Sequence, residues 1–426
     1  MSSFQSLGLA ADLLPAVEAR GYTEPTAIQR DAIPAILEGQ DVLGMAQTGS
    51  GKTAAFSLPL LQRWATAPRT APRQLFALVL VPTRELAQQV AGVLQALGEG
   101  LVPSPKVVVL TGGVSINPQL MRLRGGADIV VATPGRLIDV IEHNGLRIGQ
   151  VSMLVLDEAD RLLDLGFSQE LARILKLLPA RRQNLLFSAT FPADVQALAE
   201  QWLHAPLRVE AAPTQGVALI TQRALRVDEA RRTHLLRHLV DTLGWPRTLV
   251  FVATKHRAET VADKLRKAGI TAEPFHGLLG QGKRSQVLLD FKAGRLQVVI
   301  ATDLAARGID IARLPVVVNY DLPRSADDYV HRIGRTGRAG EAGLAVSFVP
   351  ATSEAHFRLI EKRQGIAVPR ETMAGFEPQD TAPIDPVRPA AGDPNGGIKG
   401  KRPSKKDKLR AAAAAALAGQ GGGEAA

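Results

Sequence analysis

The chain has 426 residues, enough for two or three domains with sizeable cores. Its formal net charge of +10 favours an anionic partner, nucleic acid before an acidic membrane surface, with a merely solubilising basic surface as the plain alternative. It contains no cysteine, which excludes disulfides and thiolate metal sites, and no apolar run of the ~18–20 residues that a spanning helix needs.

Residues 1–20 predict a capping helix with Leu9, Leu13, Leu14 and Val17 on one face. They lack a basic leader followed by an apolar core, so no signal peptide is expected; a soluble protein without membrane contact is expected, and the lack of cysteine fits the cytoplasm. Pro25-Thr26 then opens a helix that carries Ile28, Ile33 and Ile36 inward. Gln29 falls on its first turns, where an amide offers the donor and acceptor that match the N6/N7 edge of adenine. Tyr22 offers a ring for stacking on a base. Taken locally, a polar helix start and a packed tyrosine account for both residues as well.

The next stretch organises the rest. Residues 41–45 read as a strand and 53–61 as a helix, joined by Ala46-Gln47-Thr48-Gly49-Ser50-Gly51-Lys52-Thr53. This is the strand–loop–helix setting in which backbone N–H groups and a helix N-terminus cradle phosphates, with Lys52 reaching the outer phosphates and Thr53 ligating Mg²⁺. The general pattern begins with Gly where this chain has Ala46.

Short apolar runs at 75–81, 106–110, 128–132, 153–156 and 184–187 then alternate with helical spacing at 85–97, 134–144, 168–178 and 193–203. They predict a parallel α/β lobe over 1–210. Residues 211–222 are small and polar and read as a linker. A second alternation over 223–365 places strands at 248–252, 272–275, 297–301, 316–320 and 345–349, but contains no Gly-Lys-Thr loop of its own. Residues 366–426 are Pro-, Gly- and Ala-rich with seven clustered Lys and Arg between Lys399 and Arg410, and read as a disordered basic tail. That tail either tethers RNA non-specifically or is simply solvated.

Asp157-Glu158-Ala159-Asp160 directly follows the apolar run 153–156. A carboxylate at the C-terminal end of a parallel strand, beside a phosphate loop, is placed to organise Mg²⁺. Asp157 takes that role here, and Glu158 the orientation or deprotonation of an attacking water. Without the loop upstream, two acids favouring a helix N-terminus would be explanation enough.

Together these motifs resemble the DEAD-box ATP-dependent RNA helicases, and further family motifs stand in order over about residues 4–365. Gly21 to Gln29 resembles the adenine-reading Q motif, with Phe4 as its isolated upstream aromatic, and this family uses Ala at the position of Ala46. Arg84, Gly113 and Thr133-Pro134-Gly135-Arg136 look like RNA-backbone contacts of the first lobe, and Thr254, Gln281, Arg284, Thr302 and Arg307 like those of the second. Ser188 and Thr190 resemble the motif coupling ATP turnover to strand separation, a coupling in which the resemblance also includes Asp160 and His331. Asp310 would contact the ribose, and Ala253 stands where the family usually has Asn. The implied fold is α/β, two tandem RecA-like parallel-sheet lobes with a disordered basic C-terminal tail.

Local physics is compatible with these assignments. Thr133 before Pro134 makes a helix start whose N–H groups suit a phosphodiester, though a ligand-free capping turn fits as well. Arg335 and Arg338 lie three apart and share a face on a helix. With no phosphate loop in their own lobe, they are expected to act in cis on ATP bound to the first. Residues 113–118 and 182–188 look most like the bacterial RhlE subgroup. The expected cofactors are ATP and Mg²⁺, and the expected partners are RNA and ribosomal or RNA-decay proteins. A non-hydrolysing ATP-gated RNA clamp and a DNA helicase are the rival readings.

Overall fold

The computed structural model describes residues 3–46, 49–69, 71–210, 220–306, 314–337 and 342–379. The first lobe holds seven strands, β1 (Val42–Met45), β2 (Ala77–Leu80), β3 (Val107–Leu110), β4 (Ile129–Ala132), β5 (Met153–Leu156), β6 (Gln183–Ser188) and β7 (Leu207–Glu210). They form one parallel sheet in the order β3-β4-β2-β5-β6-β1-β7. The near-continuous apolar strands require this arrangement, because both faces of the sheet are covered. Alternation separates the faces: Ala77 and Val79 enter one core, Leu78 and Leu80 the other.

The second lobe repeats the design with β8 (Ile220–Arg226), β9 (Thr248–Val252), β10 (Ala272–Phe275), β11 (Val298–Thr302), β12 (Val316–Asn319), β13 (Gly343–Val349) and β14 (Arg370–Thr372). Their order is β10-β11-β9-β12-β13-β8-β14, again parallel. Val250 and Val252 face one core and Leu249 and Phe251 the other. These are two tandem RecA-like lobes.

Three expectations are corrected. The capping helix over 1–20 is broken into 3-10 turns at Phe4–Leu7 and Ala11–Leu13 and a short helix at Leu14–Ala19. Gly8, at φ 84°, ends the first turn, and the helix begins only beside Pro15. The linker expected over 211–222 overlaps β8 from Ile220; residues 211–219 lie outside the described residues. The second lobe does not stop at Gly365, because β14 adds to the sheet edge beside β8. Arg370 secures it with ion pairs to Glu354 (3.2 Å) and Glu361 (2.8 Å) and stacks its guanidinium 4.6 Å above Phe357. Its polar sequence hides a strand that is fixed by charge and edge pairing rather than by apolar alternation. The tail from residue 380 onward is also outside the described residues.

Candidate nucleotide- and RNA-binding cleft

The phosphate loop, Arg84, Gly113 and residues 133–136, 157–160 and 188–190 sit at or just beyond the C-terminal ends of β1 to β6, where parallel sheets bind ligands. Gly49 and Gly51 both adopt left-handed φ, at 90° and 94°. Gly51 caps the helix Lys52–Thr66, so the first-turn N–H groups of that helix open toward the loop. Lys52 is buried and donates from Nζ to Ala46 O at 2.6 Å, which folds its ammonium back over the loop. A side chain at Gly51 would be strained by the left-handed φ and would displace the Gln29 amide, whose Nε2 lies 2.5 Å from the Cβ position.

Gln29 therefore meets the phosphate loop directly. It accepts from Thr26 N at 2.9 Å within a capping box and donates to Gly51 O at 3.1 Å. One amide N–H and part of the oxygen's acceptor capacity remain. Phe4 is buried, with its ring centroid 6.4 Å from that of half-buried Tyr22. In this position it backs Tyr22 instead of standing open to a ligand.

Asp157 extends β5 and is almost fully buried. Burial pushes its carboxyl up to about 6, opposed by the charge of Lys52 and reinforced by Glu158 and Asp160. Glu158 has φ 52° and ψ 54°, a left-handed conformation that a glutamate adopts only under constraint. Such strain clusters at functional sites. Asp160 turns the other way, accepting from Thr190 N (3.1 Å) and Thr190 Oγ1 (2.8 Å), while Ser188 Oγ accepts from Asp160 N at 3.3 Å and donates to Thr190 O at 2.6 Å. The three expected coupling residues of the first lobe thus form one hydrogen-bonded unit.

The second lobe faces this group. A cavity of ≈ 30 Å³, room for one or two waters, is shared by Glu158, Asp160 and Ala189 with His331, Arg332 and Arg335. Arg332 carries no local sequence signal for its partners. It is buried, pairs bidentately with Asp303 at 2.5 and 2.7 Å and donates to Asp321 O at 2.6 Å. His331 lines the cavity and Arg335 follows the helix Ala326–Ile333. Gln47, Thr48, Arg307, Asp310 and Arg338 lie outside the described residues.

Away from the nucleotide loop, several of the expected RNA-contact residues are engaged with partners inside the protein. Arg84 donates to Gln281 at 3.3 Å across the cleft, and Arg284 lies 2.8 Å from Glu85, both side chains buried. Gly113, at φ 74°, leaves the space that the Arg84 guanidinium occupies; a Cβ there would overlap it. Arg136 points inward to Val114 O (2.8 Å), with its buried Nη1 unpaired. Thr133 is an extended N-cap and Pro134 the first helical residue, as the sequence predicted, with no side-chain cap bond to occupy the Thr133 hydroxyl. Thr254 caps the helix Lys255–Lys267 through Arg257 N, and Thr302 ends β11. Gln119, bridging Thr111 and Ser115, had no sequence signal because its partners are purely backbone.

A phosphate loop, a buried strand-end carboxylate and a facing arginine-bearing lobe define a nucleoside-triphosphatase built from two RecA-like halves. The DEAD/DEAH box helicase family matches residues 26–198, and the helicase conserved C-terminal domain matches residues 231–340. The chain is 43% identical over 350 residues to the ATP-dependent rRNA helicase rrp3 of Sclerotinia sclerotiorum, covering 82% of this chain and 71% of the relative. It is 41% identical over 361 residues to the DEAD-box ATP-dependent RNA helicase CshA of Bacillus subtilis, covering 84% and 72%. Among solved structures, S. cerevisiae Dbp5 bound to RNA and ADP BeF3 matches with a TM-score of 0.77 and 33% identity, covering 87% of this chain and 96% of that one. The chain belongs to the DEAD-box family of ATP-dependent RNA helicases.

Proposed function

We propose that this protein is an RNA-stimulated ATPase whose two lobes close together on ATP and on the backbone of an RNA, separating short duplexes locally. The observation that carries this reading is the shared cavity, which brings Glu158 of one lobe within the same enclosure as His331 and Arg335 of the other. Linkage then requires each ligand to raise the affinity for the other, because both favour the closed cleft.

Lys52 binds the outer phosphates, Glu158 orients and deprotonates the attacking water, and Arg335 stabilises charge on the transferring phosphoryl group, with Arg338 as a second finger. The Asp160–Ser188–Thr190 unit carries the state of the phosphate site to the RNA side. Thr53 and Asp157 suit Mg²⁺: a hydroxyl and a carboxylate are hard oxygen ligands, and Asp157 is buried where ionisation is costly without a nearby cation. Bound there, Mg²⁺ supplies neutralisation of the phosphate oxygens. Gln29, backed by the Tyr22–Phe4 pair, reads adenine, and Asp310 reads the ribose. Arg84, Gln281 and Arg284 exchange their interlobe partners for RNA phosphates, while Gly113, Thr133–Arg136, Thr254, Thr302 and Arg307 complete the backbone contacts. The motif variants at 113–118 and 182–188 support a bacterial protein of the RhlE subgroup. Ribosome assembly or RNA decay in the cytoplasm is the setting, with ribosomal or RNA-decay proteins as partners.

The test is ATP turnover with and without an unstructured RNA, with a matched DNA strand as control. Strong stimulation by RNA alone is expected. Tight ATP-dependent RNA binding with flat turnover would replace the enzyme by a clamp, and preferential stimulation by single-stranded DNA would replace RNA as the substrate.

A further inference from the structure

Arg161 directly follows the Asp157–Asp160 run, and none of the roles above uses it. Its side chain is 9% exposed, and Nη1 lies 2.9 Å from Asp164 on its own helix and 3.1 Å from Asp328 of the other lobe. Asp328 is itself held. Ser325 Oγ accepts from its N–H at 3.0 Å and donates to its carboxylate at 2.9 Å, which ties that carboxylate to the first turn of the helix Ala326–Ile333. The last turn of the same helix carries His331 and Arg332, and the turn after it carries Arg335. Arg161 therefore grips one end of the helix whose other end delivers Arg335 to the cavity lined by Glu158.

We propose that Arg161 and Asp328 are an interlobe positioning pair: their ion pair forms as the cleft closes and sets where Arg335 stands relative to Glu158 during hydrolysis. This rests on reading the cleft as a clamp driven by ATP and RNA. When the lobes part, Arg161 keeps Asp164, whose side chain is 51% exposed, so the open state leaves no buried charge without a partner. The contact with Asp328 is differential between the two states, and a differential contact is what shifts a two-state equilibrium. Neither side chain needs to touch nucleotide or RNA for this.

The experiment is a double-mutant cycle on the full chain with R161Q, D328N and the combined variant, plus R161K as the conservative control. Affinity for a single-stranded RNA is measured with and without ADP·BeF3, and turnover at saturating RNA across ATP concentrations. Each single variant is expected to lose about tenfold of the nucleotide-dependent gain in RNA affinity. Each also lowers kcat while leaving the KM for ATP and RNA-free nucleotide affinity within about twofold. The combined variant is expected to be no worse than either single one, and R161K to retain most of the coupling. Additive losses, or equal losses with and without nucleotide, would overturn the pair. A wild-type gain fully kept in R161Q overturns the pair alone, whereas a wild-type protein with no such gain overturns the clamp reading along with it.

Discussion

Burial at the end of β5 moves the Asp157 carboxyl from its ordinary 3.8 to about 6, even against the pull of Lys52. The folded state therefore holds this proton more tightly than the unfolded chain does. Ionising Asp157 destabilises the metal-free protein progressively as pH rises from about 4 to about 6, by about 3 kcal/mol in full. The expected outcome is that D157N, in chelator and without nucleotide, melts several degrees above wild type at pH 8 and converges with it only as pH falls to about 4. Thermal scans across pH check this, and a constant difference would remove burial of the charge as its cause. Glu158 gives the complementary case. E158Q keeps shape and hydrogen-bonding reach but cannot take a proton, so ATP and RNA binding should persist while turnover falls about 10²–10⁴-fold. Single-turnover assays beside equilibrium binding separate the two. Q29A should relax discrimination between ATP and other triphosphates, because it removes the amide that Thr26 N and Gly51 O hold in place to meet the adenine edge. Competition between ATP and GTP measures that.

At the level of elements, the loop at Gly113 and the strand β14 show how packing constrains function. Gly113 is left-handed and lies against the Arg84 guanidinium, so G113A introduces both backbone strain and an overlap. It should cost about 1 kcal/mol of stability and weaken RNA binding, with ATP affinity in the absence of RNA unchanged. β14 tests where the second lobe ends. A chain stopped at residue 365 loses the β8–β14 pairing, the Arg370 ion pairs and the packing of Met373 and Phe376 on the core. Its second lobe should unfold at a lower temperature, whereas a chain stopped at 379 should melt like the full protein. Differential scanning calorimetry of the two truncations distinguishes them.

For the whole molecule, seven basic residues lie between Lys399 and Arg410, beyond the secured segment at β14. If they reach RNA phosphates, deleting 399–426 lowers both RNA affinity and the slope of log affinity against log salt, with maximal turnover unchanged. An unaltered salt slope would make the tail a solubiliser.

The sequence by itself determined a great deal. Buried parallel strands must be apolar along their length, which made eleven of the fourteen strands among the described residues visible, and glycines, a lysine and strand-end acids at fixed spacing marked the nucleotide loop and Asp157. Those signals are local: each residue's role follows from its neighbours in the chain. β7, β8 and β14 escaped because edge and half-polar strands lack a continuous apolar run, and are fixed by the strand beside them. Only the tertiary structure decided the pairing of Arg284 with Glu85, of Arg332 with Asp303 and of Arg161 with Asp328. An ion pair 167 positions apart leaves no periodicity to read. Its energy depends on burial and distance, which exist only once two lobes have folded and met.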